Sequence, residues 1–86
     1  MKMKEMKIEV LGSGCAKCAE LEKRAKEAVR EAAVKAEVVH VYDLNKIIER
    51  NVFTTPALAI DGEVVFSGRL AGVEEIVEII KNKKRS

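Results

Sequence analysis

The stretch that most constrains the fold is a junction near the start of the chain. The apolar run Ile8-Glu9-Val10-Leu11 stops at Gly12-Ser13-Gly14, and a helical pattern begins at once with Cys15-Ala16-Lys17-Cys18. From there Leu21, Ala25, Ala28, Val29, Ala32 and Ala33 recur at the spacing of one helical face, with Glu20, Lys23, Glu27 and Arg30 off it. No Pro or Gly intervenes before Lys35, which predicts a helix of roughly five turns at about 3.6 residues each. Residues 37–42, Glu-Val-Val-His-Val-Tyr, are β-branched and too few for another helix, so they read as a strand. A strand over Met6–Leu11, a long helix and a second strand make a βαβ unit, with parallel strands and a right-handed crossover.

The remaining elements follow from capping and turn chemistry. Asp43 is a good N-cap, and Leu44, Ile47 and Ile48 give a short helix one apolar edge that ends near Asn51. The single proline, Pro56, comes soon after. Ala57-Leu58-Ala59-Ile60 and Glu63-Val64-Val65-Phe66-Ser67 flank Asp61-Gly62, the strongest short-range hairpin signal. After Gly72, the residues Val73, Ile76, Val77, Ile79 and Ile80 mark a closing amphipathic helix. The element order is β-α-β-α-β-β-α, an α/β chain with one four-stranded mixed sheet flanked by helices. There are no internal repeats.

Composition narrows the class. A chain of 86 residues has material for one core, so residues 1–86 are expected to form a single domain. Apolar residues make up 48% and charged residues 35%, the balance of an ordinary soluble protein. Trp is absent and aromatics are 3%, which leaves little surface for stacking on bases and argues against a nucleic-acid binder. The net charge of +2 comes from interleaved acidic and basic residues, a solvated pattern; the block Lys81-Asn82-Lys83-Lys84-Arg85 reads as a frayed, soluble end. The first residues lack the run of about 7–15 apolar residues of a signal peptide, and no stretch is long enough to span a bilayer. A cytoplasmic protein without membrane contact is the expectation.

Both cysteines lie in the opening junction. Helix residues three apart have Cβ atoms roughly 5–6 Å apart, and a disulfide wants Cα atoms about 5.5–6 Å apart, so a Cys15–Cys18 bond is geometrically easy. It closes only a tiny loop and removes little entropy from the unfolded chain, which makes a purely structural staple a poor explanation. The spacing points to reactivity or to metal binding.

Over essentially its whole length the chain resembles the thioredoxin-like family, in particular its small, glutaredoxin-sized redox-active disulfide proteins. Three features carry the resemblance: Gly12-Ser13-Gly14-Cys15-Ala16-Lys17-Cys18 at a strand-to-helix junction, Thr54-Thr55-Pro56 just before the hairpin, and the helix led by Gly72. The resemblance implies a thioredoxin fold and a thiol–disulfide oxidoreductase that needs no cofactor and takes part in electron transport. It implies that Pro56 is cis and packs against the active-site disulfide, and that the backbone at Thr55 pairs with an extended substrate. Cys15, at the helix start, is then the nucleophile, because unpaired N–H groups and the helix dipole stabilise a thiolate there and Lys17 adds positive charge. Cys18, one turn further in, resolves the mixed disulfide. The implied partners are a disulfide-bearing protein and a reductase or glutathione-type donor, acting on a monomer.

The sequence also departs from the family pattern. No Trp precedes the cysteines, and Ala16-Lys17 stands where thioredoxins carry Gly-Pro, so a redox potential does not transfer. The buried acid that thioredoxins place six residues before the first cysteine falls on Glu9. From its place between Ile8 and Val10, Glu9 reads as a solvent-facing strand residue; the family offset alone gives it a role in proton transfer. His40 reads as a packed strand residue, and Tyr42 as a partly buried one with its hydroxyl in water. The alternative function is a Cys-x-x-Cys module for a soft metal, copper or zinc, as in heavy-metal-associated domains. Those domains run β-α-β-β-α-β and end on a strand, and a closed zinc site needs four ligands.

Overall fold

Three strand pairings build the sheet. The computed structural model describes residues 5–12, 14 and 16–85. Its elements are β1 (Met6–Leu11), α1 (Ala16–Ala32), β2 (Ala36–Val41), α2 (Leu44–Glu49), β3 (Ala57–Ile60), β4 (Glu63–Ser67) and α3 (Val73–Arg85). The four strands lie in the order β2-β1-β3-β4. β1 runs parallel to β2 and antiparallel to β3, and β3 runs antiparallel to β4. The observed element order is the expected one.

Local chemistry explains most boundaries. Asp61 and Gly62 both have positive φ, 51° and 88°, as the two-residue turn between β3 and β4 requires. Asp61 also ties this turn to β1: its carboxylate accepts from the Lys7 N–H at 2.9 Å and its N–H donates to the Lys7 carbonyl at 2.8 Å. Asp43 caps α2 by accepting from the Asn45 N–H at 2.9 Å. α1 ends at Ala32 rather than near Lys35, because Ala33 turns into the left-handed region (φ 55°) and the N–H groups of Ala33 and Val34 bond back to Arg30 and Val29. That is a C-cap normally filled by glycine, so the sequence carries no stop signal there. At the other end, α3 continues helically to Arg85, past the stretch expected to fray, and Lys83 pairs with Glu63.

Helices cover both faces of the sheet. On one, Ile8 and Val10 of β1, Leu58 and Ile60 of β3 and Phe66 of β4 pack against Leu21, Ala25 and Ala28 of α1 and Ile76 and Ile80 of α3. On the other, Leu11, Ala57 and Ala59 pack against Ile47 of α2 and against Val52. β1 is therefore a central strand covered on both faces, and the polar residue it carries toward α2 is buried.

Candidate active site

That enclosure overturns the reading of Glu9 as solvent-facing. Glu9 is 4% exposed. Its carboxylate meets the Arg50 guanidinium with a hydrogen bond from Nη2 to Oε2 at 2.8 Å and a second contact, Nη1 to Oε1, also at 2.8 Å. A carboxylate this buried needs such a partner. Arg50 caps the C-terminus of α2, the helix over that face, and its pKa is raised chiefly by the hydrogen bond to Glu9. Sequence reading missed Arg50. The signal for it is conditional: once β1 is known to be covered by α2, a cation at the end of α2 is the natural partner.

The end of β1 meets two other chain segments. Gly12 donates its N–H to the Val41 carbonyl at 3.1 Å, which keeps the strand paired past its last residue. A Cβ at Gly12 would lie 2.2 Å from the Cys18 Sγ and 3.8 Å from the Thr55 Cβ. Gly12 thus lies between the cysteine of the first turn of α1 and the loop that enters β3. Cys18 is fully buried, and so is Pro56. The Thr55–Pro56 peptide bond is cis, and Thr55 itself is exposed. Cys15 immediately precedes the first residue of α1; it lies outside the described residues, as does Ser13. Lys17 is exposed on the first turn of that helix.

The loop after β4 closes the group. Gly68 donates its N–H to the Pro56 carbonyl at 2.9 Å and has φ 76°. A side chain there would press on Thr54, whose Oγ1 lies 2.8 Å from the Cβ position. Beyond this loop the Arg69 guanidinium pairs with Glu75 and lies 4.7 Å over the Phe66 ring. Arg24 of α1 donates to the Ala71 carbonyl at 3.1 Å and fixes the loop from the other side. Residues distant in sequence, Gly12, Cys18, Thr55, Pro56 and Gly68, are therefore brought to the same end of the sheet.

Comparison with known proteins gives this arrangement a family. The profile described as thioredoxin domain matches residues 6–81. The chain belongs to the thioredoxin family. That makes it a thiol–disulfide oxidoreductase by family. A thioredoxin of Methanothermobacter thermautotrophicus is 44% identical over 75 residues, 87% of this chain and 97% of the relative. A thioredoxin of Methanocaldococcus jannaschii is also 44% identical over 75 residues, covering 87% of this chain and 86% of that protein. The fold agrees with a crystal structure of the germline-specific thioredoxin Deadhead of Drosophila melanogaster, at a TM-score of 0.63 and 18% identity over 91% of this chain and 80% of the other. The soft-metal alternative finds no support in these relatives, and the described element order is β-α-β-α-β-β-α rather than β-α-β-β-α-β.

The rest of the titratable chemistry is peripheral to this group. His40 of β2 has a side chain only 7% exposed, as expected of a packed strand residue, and its Nδ1 lies 2.9 Å from the Glu22 carboxylate. Hydrogen bonds from His40 and then Lys26 hold the Glu22 carboxyl below its ordinary value. Tyr42 departs from expectation: it falls just beyond β2 and is 61% exposed.

Proposed function

We propose that this chain cycles a Cys15–Cys18 pair between dithiol and disulfide, transferring two electrons to or from a disulfide-bearing protein. The observation that carries the reading is the meeting of Gly12, Cys18 and Thr55 at the start of α1. It sets a buried sulfur near the exposed residue Thr55 of the loop that enters β3. Cys15, one residue before the helix, is the nucleophile, because helix N–H groups and the nearby Lys17 ammonium stabilise its thiolate. Its sulfur attacks one sulfur of the partner disulfide, forms a mixed disulfide and expels the other partner sulfur as a thiolate. Cys18 then loses its proton and attacks the Cys15 sulfur, which breaks the mixed bond, forms Cys15–Cys18 and releases the partner as a dithiol. Glu9, six residues before Cys15 and buried against Arg50, is the carboxylate assigned to take the proton in this step. The backbone of Thr55 holds the extended partner chain by hydrogen bonds, which supply affinity with little sequence selectivity, and Pro56, with no N–H and its carbonyl bonded to Gly68, fixes the loop that presents it.

A reductase or a glutathione-type thiol returns the two electrons. The protein is expected to act as a single-domain monomer in the cytoplasm; no described helix is long and apolar enough to cross a membrane. Mechanism-based trapping tests the division of labour. Cys18→Ser mixed with an oxidised protein substrate is expected to accumulate a covalent adduct visible on a non-reducing gel, and Cys15→Ser is expected to form none. Adducts formed equally by both variants, or by neither, would refute the assignment.

A further inference from the structure

Tyr42 is held in place without being buried. Its ring stacks on the His40 ring at a centroid distance of 4.0 Å and an interplanar angle of 18°. His40 is in turn fixed by the Glu22 carboxylate, 2.9 Å from its Nδ1, and Glu22 is bridged to Lys26 at 3.1 Å. The edge of the Tyr42 ring lies against Gly14: a Cβ there would be 3.3 Å from Cε1 and 3.6 Å from Cδ1. Gly14 has φ 94° and immediately precedes Cys15. Tyr42 belongs to neither buried cluster. The fold therefore spends a stacked histidine and an ion pair on fixing an aromatic ring that remains 61% exposed.

An exposed aromatic with its rotamer already fixed is what binding surfaces use as an anchor, since it offers a large apolar face and loses little conformational freedom on contact. Its position identifies what it contacts. In the strand order β2-β1-β3-β4, Tyr42 follows β2 and Thr55 precedes β3, so the two lie on opposite sides of the β1–α1 junction. Two strand spacings separate these positions, on the order of 10 Å. A ligand that touches both must cross the β1–α1 junction as an extended chain. We infer that Tyr42 is a second contact wall for the protein substrate, a platform on which the side chain next to the partner's reacting cysteine packs, with His40 and Glu22 as its support. This inference rests on the redox reading above and adds to it a residue that contacts the polypeptide around the partner disulfide.

The test compares two disulfides at single turnover. Reduced wild type, Tyr42→Ala and Tyr42→Phe are mixed with insulin and with 2-hydroxyethyl disulfide, which is small and has no ring to stack. Tyr42→Ala is expected to lower the ratio of the insulin rate constant to the small-disulfide rate constant at least about fivefold, as removal of an interface anchor does. Tyr42→Phe retains the ring and is expected to restore that ratio to within about twofold of wild type. An equal loss toward both disulfides, which leaves the ratio unchanged, would mean that Tyr42 only supports the loop, and unchanged rate constants toward both would mean that it touches no substrate. Either result overturns the inference while leaving the redox reading intact, provided wild type is oxidised by both compounds. A reduced wild type that neither compound oxidises overturns the redox reading and the platform with it.

Discussion

Gly12 and Cys18 occupy one shared space: the Cys18 Sγ lies 2.2 Å from where a Cβ on Gly12 would stand. Both residues are buried, so neither can yield toward solvent. Gly12→Ala is therefore an overpacking substitution, with an expected cost of about 1–3 kcal/mol. For a chain of this size that lowers Tm by at least about 4 °C. Thermal unfolding followed by circular dichroism in the presence of reductant measures it. An unchanged Tm would mean that Cys18 has another rotamer available and that the contact is not binding.

The Glu9–Arg50 pair makes a prediction about breaking one partner as against replacing both. Arg50→Leu leaves a buried carboxylate without its cation, and buried pairs broken on one side lose about 3–5 kcal/mol. Arg50 is 33% exposed, so water reaches this pair and the loss is expected at about 1–3 kcal/mol. The double variant Glu9→Leu/Arg50→Leu removes the stranded charge and is expected to be more stable than Arg50→Leu alone. Urea unfolding of Glu9→Leu, Arg50→Leu, the double variant and wild type gives the coupling. Additive losses would show that the two side chains do not act as a pair.

Stability in acid follows from Glu22. Its carboxyl is held below its ordinary value near 4.5, first by the His40 hydrogen bond and then by Lys26. A carboxyl lowered in the folded state contributes stability that is complete above its ordinary value and is lost as pH falls through the lowered one. Urea midpoints taken at about pH 7, 5 and 3 are expected to fall at the acid end for wild type and to fall less for Glu22→Gln. At neutral pH the substitution is expected to cost no more than about 1 kcal/mol, the range of partly exposed pairs. Parallel curves for the two proteins would remove Glu22 from the acid response.

Determined by the sequence alone was whatever depends on near neighbours along the chain. The Asp61-Gly62 turn, the Asp43 cap, the apolar face of α1 and the element order are local, because periodicity and turn dihedrals need no knowledge of what packs where. The cysteine spacing and the proline before the hairpin named the residues of the candidate site. Only the tertiary structure decided how they stand to one another. Alternation along β1 could not show that Glu9 is buried, since that depends on α2 lying over a strand already enclosed by α1 and α3. Arg50 and Tyr42 acquire meaning in the same way, the first beneath α2 against β1 and the second at the end of an edge strand against Gly14. Contacts between residues some thirty to forty positions apart are set by which faces the packed layers cover, and the linear pattern encodes each face without encoding its partner.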